Sequence, residues 1–196
     1  MTGIWAIVLA AGESRRMGSP KMVLPYQGMT MIGKVLDRIL ASEVEHIVTV
    51  VGGHQAVVME AIRELPVKYC YNDNYLSGMY SSVQCGFRFL PDDFRAAIVF
   101  LGDQPMAETV VINRLIESYS QSDKGIVLPV YEGKRGHPLL VDRKYRNEII
   151  SQDQPDGLRG IISKHADDLL EVNTINPSIL RDIDTPEEYL KETSGQ

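Results

Sequence analysis

Ile4-Trp5-Ala6-Ile7-Val8-Leu9 runs without a break into Ala10-Ala11-Gly12-Glu13-Ser14-Arg15-Arg16-Met17-Gly18-Ser19-Pro20-Lys21. The first stretch is apolar at every position and reads as a buried strand. The second interleaves small residues with three cations. A backbone that must come close to a polyanion needs Gly and Ala, because larger side chains hold it away. Free N–H groups then form a concave anion nest, and Arg and Lys complete it with full charges. The pattern predicts a phosphate-binding loop at the carboxyl end of a strand, where open α/β sheets place their ligands. A plain strand-to-helix turn needs one or two glycines, not Gly12 and Gly18 bracketing Arg15 and Arg16 with Lys21 beyond. The loop matches neither GxGxxG nor GxxxxGK[ST], so dinucleotide and Walker-type readings lose support.

Outward from that loop, apolar runs alternate with helical patterns, the signature of βαβ units and a mostly parallel α/β sheet. Ile32, Val35, Leu36, Ile39 and Leu40 share one helical face, with Thr30 as its cap. Strands are expected at 46–51, 67–71, 96–101 and 125–130, and helices at 55–65, 79–90 and 109–120. The turn-rich Tyr131 to Gly136, followed by Pro138 to Val141, predicts a β-hairpin added to the sheet. Helices around 144–151 and 158–165 flank a loop at 152–157. Thr185-Pro186-Glu187-Glu188 opens a last helix with a cap, a proline at the first position and a glutamate three after the cap. Residues 192–196 read as a polar tail.

The 196 residues suit one domain, 1–196, with 44% hydrophobic and 23% charged residues. A net charge of −6 argues against nucleic acid as a partner, whereas a small phosphate ligand needs only local cations. Cys70 and Cys85 show no CxxC and no Cys/His metal spacing, and read as two reduced thiols of a cytosolic protein. Met1-Thr2-Gly3 carries no basic and apolar leader, and no apolar run approaches the roughly 18 residues of a membrane helix. A cytoplasmic protein, with no membrane partner, is expected.

Other candidates for chemistry lie at strand ends. Asp103, in Gly102-Asp103-Gln104-Pro105, follows the most apolar strand, where a carboxylate can hold nucleotide-bound Mg2+. Alone it could equally turn the chain before the next helix. Asp184, in Asp182-Ile183-Asp184-Thr185-Pro186, sits before a helix N-terminus, where a carboxylate is favoured without any function. Paired with Asp103 it becomes a candidate second ligand. In Asn72 to Ser82, Ser81 or Ser82 either caps the next helix or serves a base or ribose site. Lys134-Arg135-Gly136-His137-Pro138 suits recognition of an anionic or polar acceptor through Arg135 and the backbone; His137 beside a turn reads as structural rather than as a general base. His46, His54 and His165 receive no role, and Met22, Met29 and Met31 read as core filling.

The stretches LAAGESRRMGSPK at 9–21, NDNYLSGMYSSV at 72–83, GDQP at 102–105, RGHP at 135–138 and DIDTPEE at 182–188, in this order, resemble the MobA-like nucleotidyltransferases. The chain is most similar to their molybdenum cofactor cytidylyltransferase branch (MocA and PucB type). The resemblance implies a three-layer α/β/α sandwich with a Rossmann-like sheet, as in nucleotide-diphospho-sugar transferases. By it, Leu9, Ala10, Ala11 and Gly12 hold the nucleotide, Arg16 and Lys21 hold its phosphates, and Gly78 and Ser82 lie near base and ribose. Asp103 carries Mg2+ with Asp184 rather than Asp182 as second ligand, and Arg135, Gly136 and His137 lie at the acceptor. Guanylyltransferase relatives usually read LAGG; the methyl of Ala11 suits a smaller pyrimidine. Glu13 stands where a neutral residue is often found.

The implied reaction is attack by a molybdopterin phosphate on the α-phosphorus of CTP, with pyrophosphate released. The nucleophile is already anionic, so neutralisation and in-line alignment matter more than a strong base. The product would mature the cofactor of a molybdenum hydroxylase such as xanthine dehydrogenase, with that enzyme or its chaperone as partner. Two alternatives remain: CTP- or GTP-dependent transfer to another phosphate acceptor (a sugar phosphate or methylerythritol phosphate), and a non-catalytic carrier that delivers the cofactor. Joint presence of Arg16, Lys21, Asp103 and Asp184 weighs against the carrier.

Overall fold

The computed structural model describes residues 2–151 and 156–194; residues 152–155 of the expected loop and 195–196 of the expected tail lie outside the described residues. Strand β1 (Thr2–Ala10) is followed by a short hairpin, β2 (Pro25–Tyr26) and β3 (Met29–Thr30). Its two-residue turn, Gln27 and Gly28, has φ of 48° and 78°, the left-handed pair that matches strand twist. Then come α1 (Met31–Leu40), β4 (His46–Val51), α2 (Gln55–Ile62), β5 (Lys68–Tyr71), α3 (Met79–Phe89), β6 (Phe94–Leu101) and α4 (Thr109–Ser120). The second half carries β7 (Ile126–Tyr131), β8 (Lys134–Arg135), β9 (Leu139–Asp142), α5 (Arg146–Ser151), α6 (Leu158–Lys164), β10 (Leu169–Asn173) and α7 (Pro186–Thr193).

The main sheet runs β10-β7-β9-β6-β1-β4-β5, with β8 paired to β7. Alternation along β1 explains why it is apolar throughout. Ile4, Ala6, Val8 and Ala10 face a layer built by α1, α2 and α4, through Leu36, Val58 and Leu115 among others. Trp5, Ile7, Leu9 and Ala11 face the opposite layer, where Phe87 of α3, Ile149 of α5 and Ile161 of α6 pack. Helices on both faces of a sheet give the expected three-layer sandwich.

Local signals explain several boundaries. The Thr30 hydroxyl accepts from Gly33 N at 3.1 Å and starts α1. The face read on α1 holds for Ile32, Val35, Leu36 and Ile39, but Leu40 is exposed. Thr185 and Glu188 form a reciprocal capping box at α7. Met22 and Met31 are buried, whereas Met29 is exposed on the hairpin rather than filling the core.

Two features of the sheet differ from the sequence expectation. The hairpin exists, but its return strand β9 lies inside the sheet, antiparallel to both β6 and β7. Leu139, Leu140 and Val141 are buried on both faces and fit an interior position. Strand β10, parallel to β7, has no counterpart in the sequence reading. Only Val172 of its five residues is buried, so its apolar signal is that of a half-covered edge.

Candidate active site

The loop after β1 leaves the sheet where β1, β4 and β6 all end. Gly53 N donates to Ala11 O and Gly102 N donates to Leu9 O, both at 3.0 Å, so the two neighbouring strand ends pin it. A Cβ on Gly52 would come within 2.7 Å of Ala11 O and 2.8 Å of Ala11 Cβ; the absent side chain is what admits the Ala11 methyl. Ser14 then takes φ +52° and its carbonyl accepts from Met17 N and Gly18 N, which folds the loop back. The Ser14 hydroxyl accepts from Lys21 N at 3.1 Å and fixes the start of the next turn.

Lys21 is the centre of the site. Its side chain is 9% exposed, and Nζ donates to Asp103 Oδ2 at 2.5 Å and to Asp184 Oδ1 at 2.6 Å. Burial opposes its charge, but the charges and hydrogen bonds of Asp103 and Asp184 hold its pKa above the ordinary lysine value. Burial likewise opposes ionisation of Asp184, and the hydrogen bond from Lys21, with the Arg16 charge, keeps its carboxyl below the ordinary range. Arg16 donates to the other oxygen of Asp184. The backbone joins the two acidic segments: Ile183 N donates to Asp103 O at 3.0 Å. Ile183 is fully buried against Met17, Tyr26 and Met31, so loop and C-terminal segment share a small apolar core. Asp182 makes no bond to Lys21; burial and the charges of Asp184 and Asp103 push its carboxyl up.

Above this cluster opens a cavity of about 290 Å3, whose wall includes Leu9, Ala11, Gly12, Arg16, Gly78 and Ser82. A Cβ on Gly12 would meet open space, so the loop backbone is accessible there. Ala10 instead points into the core and reaches the cavity only through its backbone neighbours. Glu13 also turns away: Arg15 holds its carboxylate at 2.6 Å, and His54 Nε2 lies 2.9 Å from its carbonyl. Its charge is therefore neutralised beside the cavity rather than aimed into it.

The far wall is the start of α3. Gly78, with φ +101°, occupies the cap position without any side-chain cap, so the positive end of the helix dipole faces the cavity. Neither serine caps the helix. Both are buried, and Asn72 Nδ2 donates to Ser81 Oγ at 2.9 Å and to Ser82 Oγ at 3.0 Å. Tyr75, Met79 and Leu101 complete the wall and were not read from sequence; nothing in their local pattern distinguishes them from core residues.

A larger cavity, about 920 Å3, adjoins the first and shares Leu9, Gly78, Met79 and Leu101 with it. Arg135, Gly136 and His137 line it, together with Arg159 and Asp182. Arg135 is paired with Glu171 at 2.7 Å. Gly136 is required by packing, because a Cβ would run into the Ile179 carbonyl. His137 is held by its backbone, N–H donating to Ile179 O at 2.9 Å, and burial pushes its ring pKa down. The ring is enclosed, and its Nδ1 is buried without a hydrogen-bond partner. Arg159 has no side-chain partner among the described residues in the hydrogen bonds and ion pairs of this wall.

The donor set suits a cation brought in with a phosphate ligand. Asp103 Oδ1 is buried and lacks a hydrogen-bond partner. No group of three or more His, Cys, Asp or Glu that could hold a metal exists among the described residues. Mg2+ is commonly held by one or two carboxylates plus substrate phosphates, and Asp103 with Asp184 fit that pattern.

Residues 6–169 match the model of the MobA-like NTP transferase domain. The molybdenum cofactor cytidylyltransferase of Escherichia coli (strain K12) is 27% identical over 97% of this chain and 95% of its own. The nicotine blue oxidoreductase of Paenarthrobacter nicotinovorans is also 27% identical, over 96% and 95%. The fold of Rv0371c from Mycobacterium tuberculosis H37Rv superposes with a TM-score of 0.85 at 23% identity, over 96% of each chain; that protein has also been solved in complex with manganese. A loop closed around Lys21, carboxylates from two distant segments and a match spanning most of the sheet converge: the chain belongs to the MobA-like NTP transferase family, a family of nucleotidyltransferases.

Proposed function

We propose that this protein transfers CMP from CTP to the terminal phosphate of molybdopterin, or of its molybdenum-loaded form, releasing pyrophosphate. The observation that carries this reading is the placement of Lys21. It lies at the floor of a small cavity, clamped between Asp103 and Asp184, directly beside a larger cavity that can take the acceptor. One relative of equal identity is named for an oxidoreduction. The cation and carboxylate set on the loop favours phosphate chemistry here.

The smaller cavity takes the nucleotide. Ala11 and Gly12 line its base side, with Gly78 and Ser82 opposite near the ribose. As the triphosphate enters, Lys21 exchanges its carboxylate partners for phosphate oxygens, and Arg16, 69% exposed at its side chain, swings from Asp184 to the same anion. Asp103 and Asp184 would hold Mg2+, which would screen the crowded negative charge and supply electrophilic activation. The acceptor phosphate, positioned from the larger cavity by Arg135 and the backbone around Gly136 and His137, attacks the α-phosphorus in line, and the bond to pyrophosphate breaks. The acceptor oxygen is already anionic, so no residue must remove a proton. The whole chain acts as one domain in the cytoplasm and passes its product to a molybdenum hydroxylase or that enzyme's chaperone.

The test is pyrophosphate release with Mg2+, molybdopterin and each of CTP, GTP and ATP. Release is expected with CTP and molybdopterin together and absent without the acceptor. Equal release with GTP would refute cytidylyl selectivity, and release with a sugar phosphate but not with molybdopterin would refute the acceptor.

A further inference from the structure

Cys70 of β5 and Cys85 of α3 face each other with their sulfurs 3.6 Å apart. Both are half-buried, and Cys85 Sγ also lies 3.5 Å from Tyr71 O. The sequence gives no reason to pair them: they stand on different elements, outside any CxxC. Cys85, with Asn72, Asp73 and Arg88, lines a cavity of about 500 Å3, so a small molecule can reach its sulfur. Strand β5 is the terminal strand of the sheet, paired only to β4. Among the described residues no metal-binding group includes this pair.

We propose that Cys70 and Cys85 form a modification site, a dithiol that small oxidised thiols convert reversibly to an intramolecular disulfide. Cys85 is the attacking thiol. Its sulfur, not that of Cys70, lines the cavity; the hydrogen bond with Cys70 and the Arg88 charge hold it below the ordinary thiol range against burial and the Asp73 charge. The same hydrogen bond and burial push Cys70 up. Attack of the Cys85 thiolate on the oxidised thiol RSSR forms a mixed disulfide and expels one thiolate. Cys70 then loses its proton to solvent and attacks Cys85 Sγ, closing the Cys70–Cys85 bond and expelling the second thiolate. Two protein thiols are oxidised, and RSSR is reduced to two RSH. The staple would tie β5 to α3 beside the Asn72 hydrogen bonds to Ser81 and Ser82, one helical turn before Cys85.

The test is incubation of the full chain, and of Cys70→Ser and Cys85→Ser, with oxidised glutathione, followed by intact-mass and peptide mass spectrometry without reductant. The wild type is expected to lose two hydrogens and to yield a linked Cys70–Cys85 peptide that dithiothreitol separates. Cys70→Ser is expected to stop at glutathione on Cys85, and Cys85→Ser to react about tenfold more slowly. A wild type that stays fully reduced, or that accumulates glutathione on both cysteines without the linked peptide, overturns the proposal.

Discussion

Lys21 Nζ donates to Asp103 Oδ2 at 2.5 Å, joining residues 82 positions apart in the chain. Asp184 shares the same ammonium at 2.6 Å. A lysine so enclosed is costly to bury, and two carboxylates offset that cost. Lys21 and Arg16 with Asp103 and Asp184 thus form a cluster of two cations and two carboxylates whose charges balance.

Lys21→Ala removes the one charge touching both carboxylates. Nucleotidyl transfer, measured as pyrophosphate release, is expected to fall about 10²–10³-fold, the usual effect of losing one preorganised electrostatic contact. Circular dichroism should remain that of the wild type. Turnover within a factor of two of normal would remove Lys21 from the phosphate clamp.

Asp103→Asn leaves the volume but removes the charge beside the orphaned Oδ1. Divalent-cation-dependent turnover is expected to disappear, and calorimetric titration with Mg2+ and CTP together should lose its binding heat. Retention of full Mg2+ dependence would place the cation elsewhere.

The cluster also predicts a pH profile for stability. Asp184 is held below its ordinary value of 3.8, so its contribution is complete above that value and fades as pH falls through its lower folded pKa. Lys21 is held above 10.5, so its contribution is complete below that value and fades as pH rises through its higher folded pKa. The cluster's share of the melting temperature should therefore be level near neutrality and fall at both ends. In Asp184→Asn the acid drop should shrink.

Asn72→Ala deletes the amide that donates to both Ser81 and Ser82 and leaves their hydroxyls with fewer partners in a buried place. A loss of about 2 kcal/mol in urea unfolding is expected, with a raised KM for nucleotide as the start of α3 loosens. An unchanged KM would detach that helix end from the nucleotide.

Ala11→Gly restores the space that the methyl takes beside Gly52 and the cavity. The ratio of kcat/KM for CTP over GTP is expected to fall about tenfold, the effect of one methyl group in a pocket. A ratio that does not move would exclude Ala11 as a base selector.

Much of this architecture was legible in the chain because local and global signals agree. The unbroken apolar run of β1 announces burial on two faces, and Thr30, Thr185 and Glu188 mark helix starts by hydrogen bonds they then make. The loop at 9–21 and Asp103 were readable as strand-end features that line one cavity. Asp184 was harder, since a carboxylate before α7 has a sufficient electrostatic excuse; only the Ile183–Asp103 backbone bond shows why it reaches the site. Strand β10 escaped because one buried residue in five gives no period to read. The orientation of Glu13 escaped for another reason: Arg15 captures it through space, and spacing along a loop does not encode direction. Tyr75, Met79 and Arg159 are brought to the cavities by tertiary packing alone.

The hydrogen bond from Ile183 to Asp103 has a consequence in time as well as in space. Residues 9–21 and 103 leave the ribosome long before residue 184 is made. Until then Lys21 has one carboxylate instead of two, Met17 and Met31 lack the buried Ile183 that covers them, and the cavity has no floor on that side. The loop at 9–21 is thus complete in its own residues early, whereas the cluster around Lys21 closes only when this late segment docks.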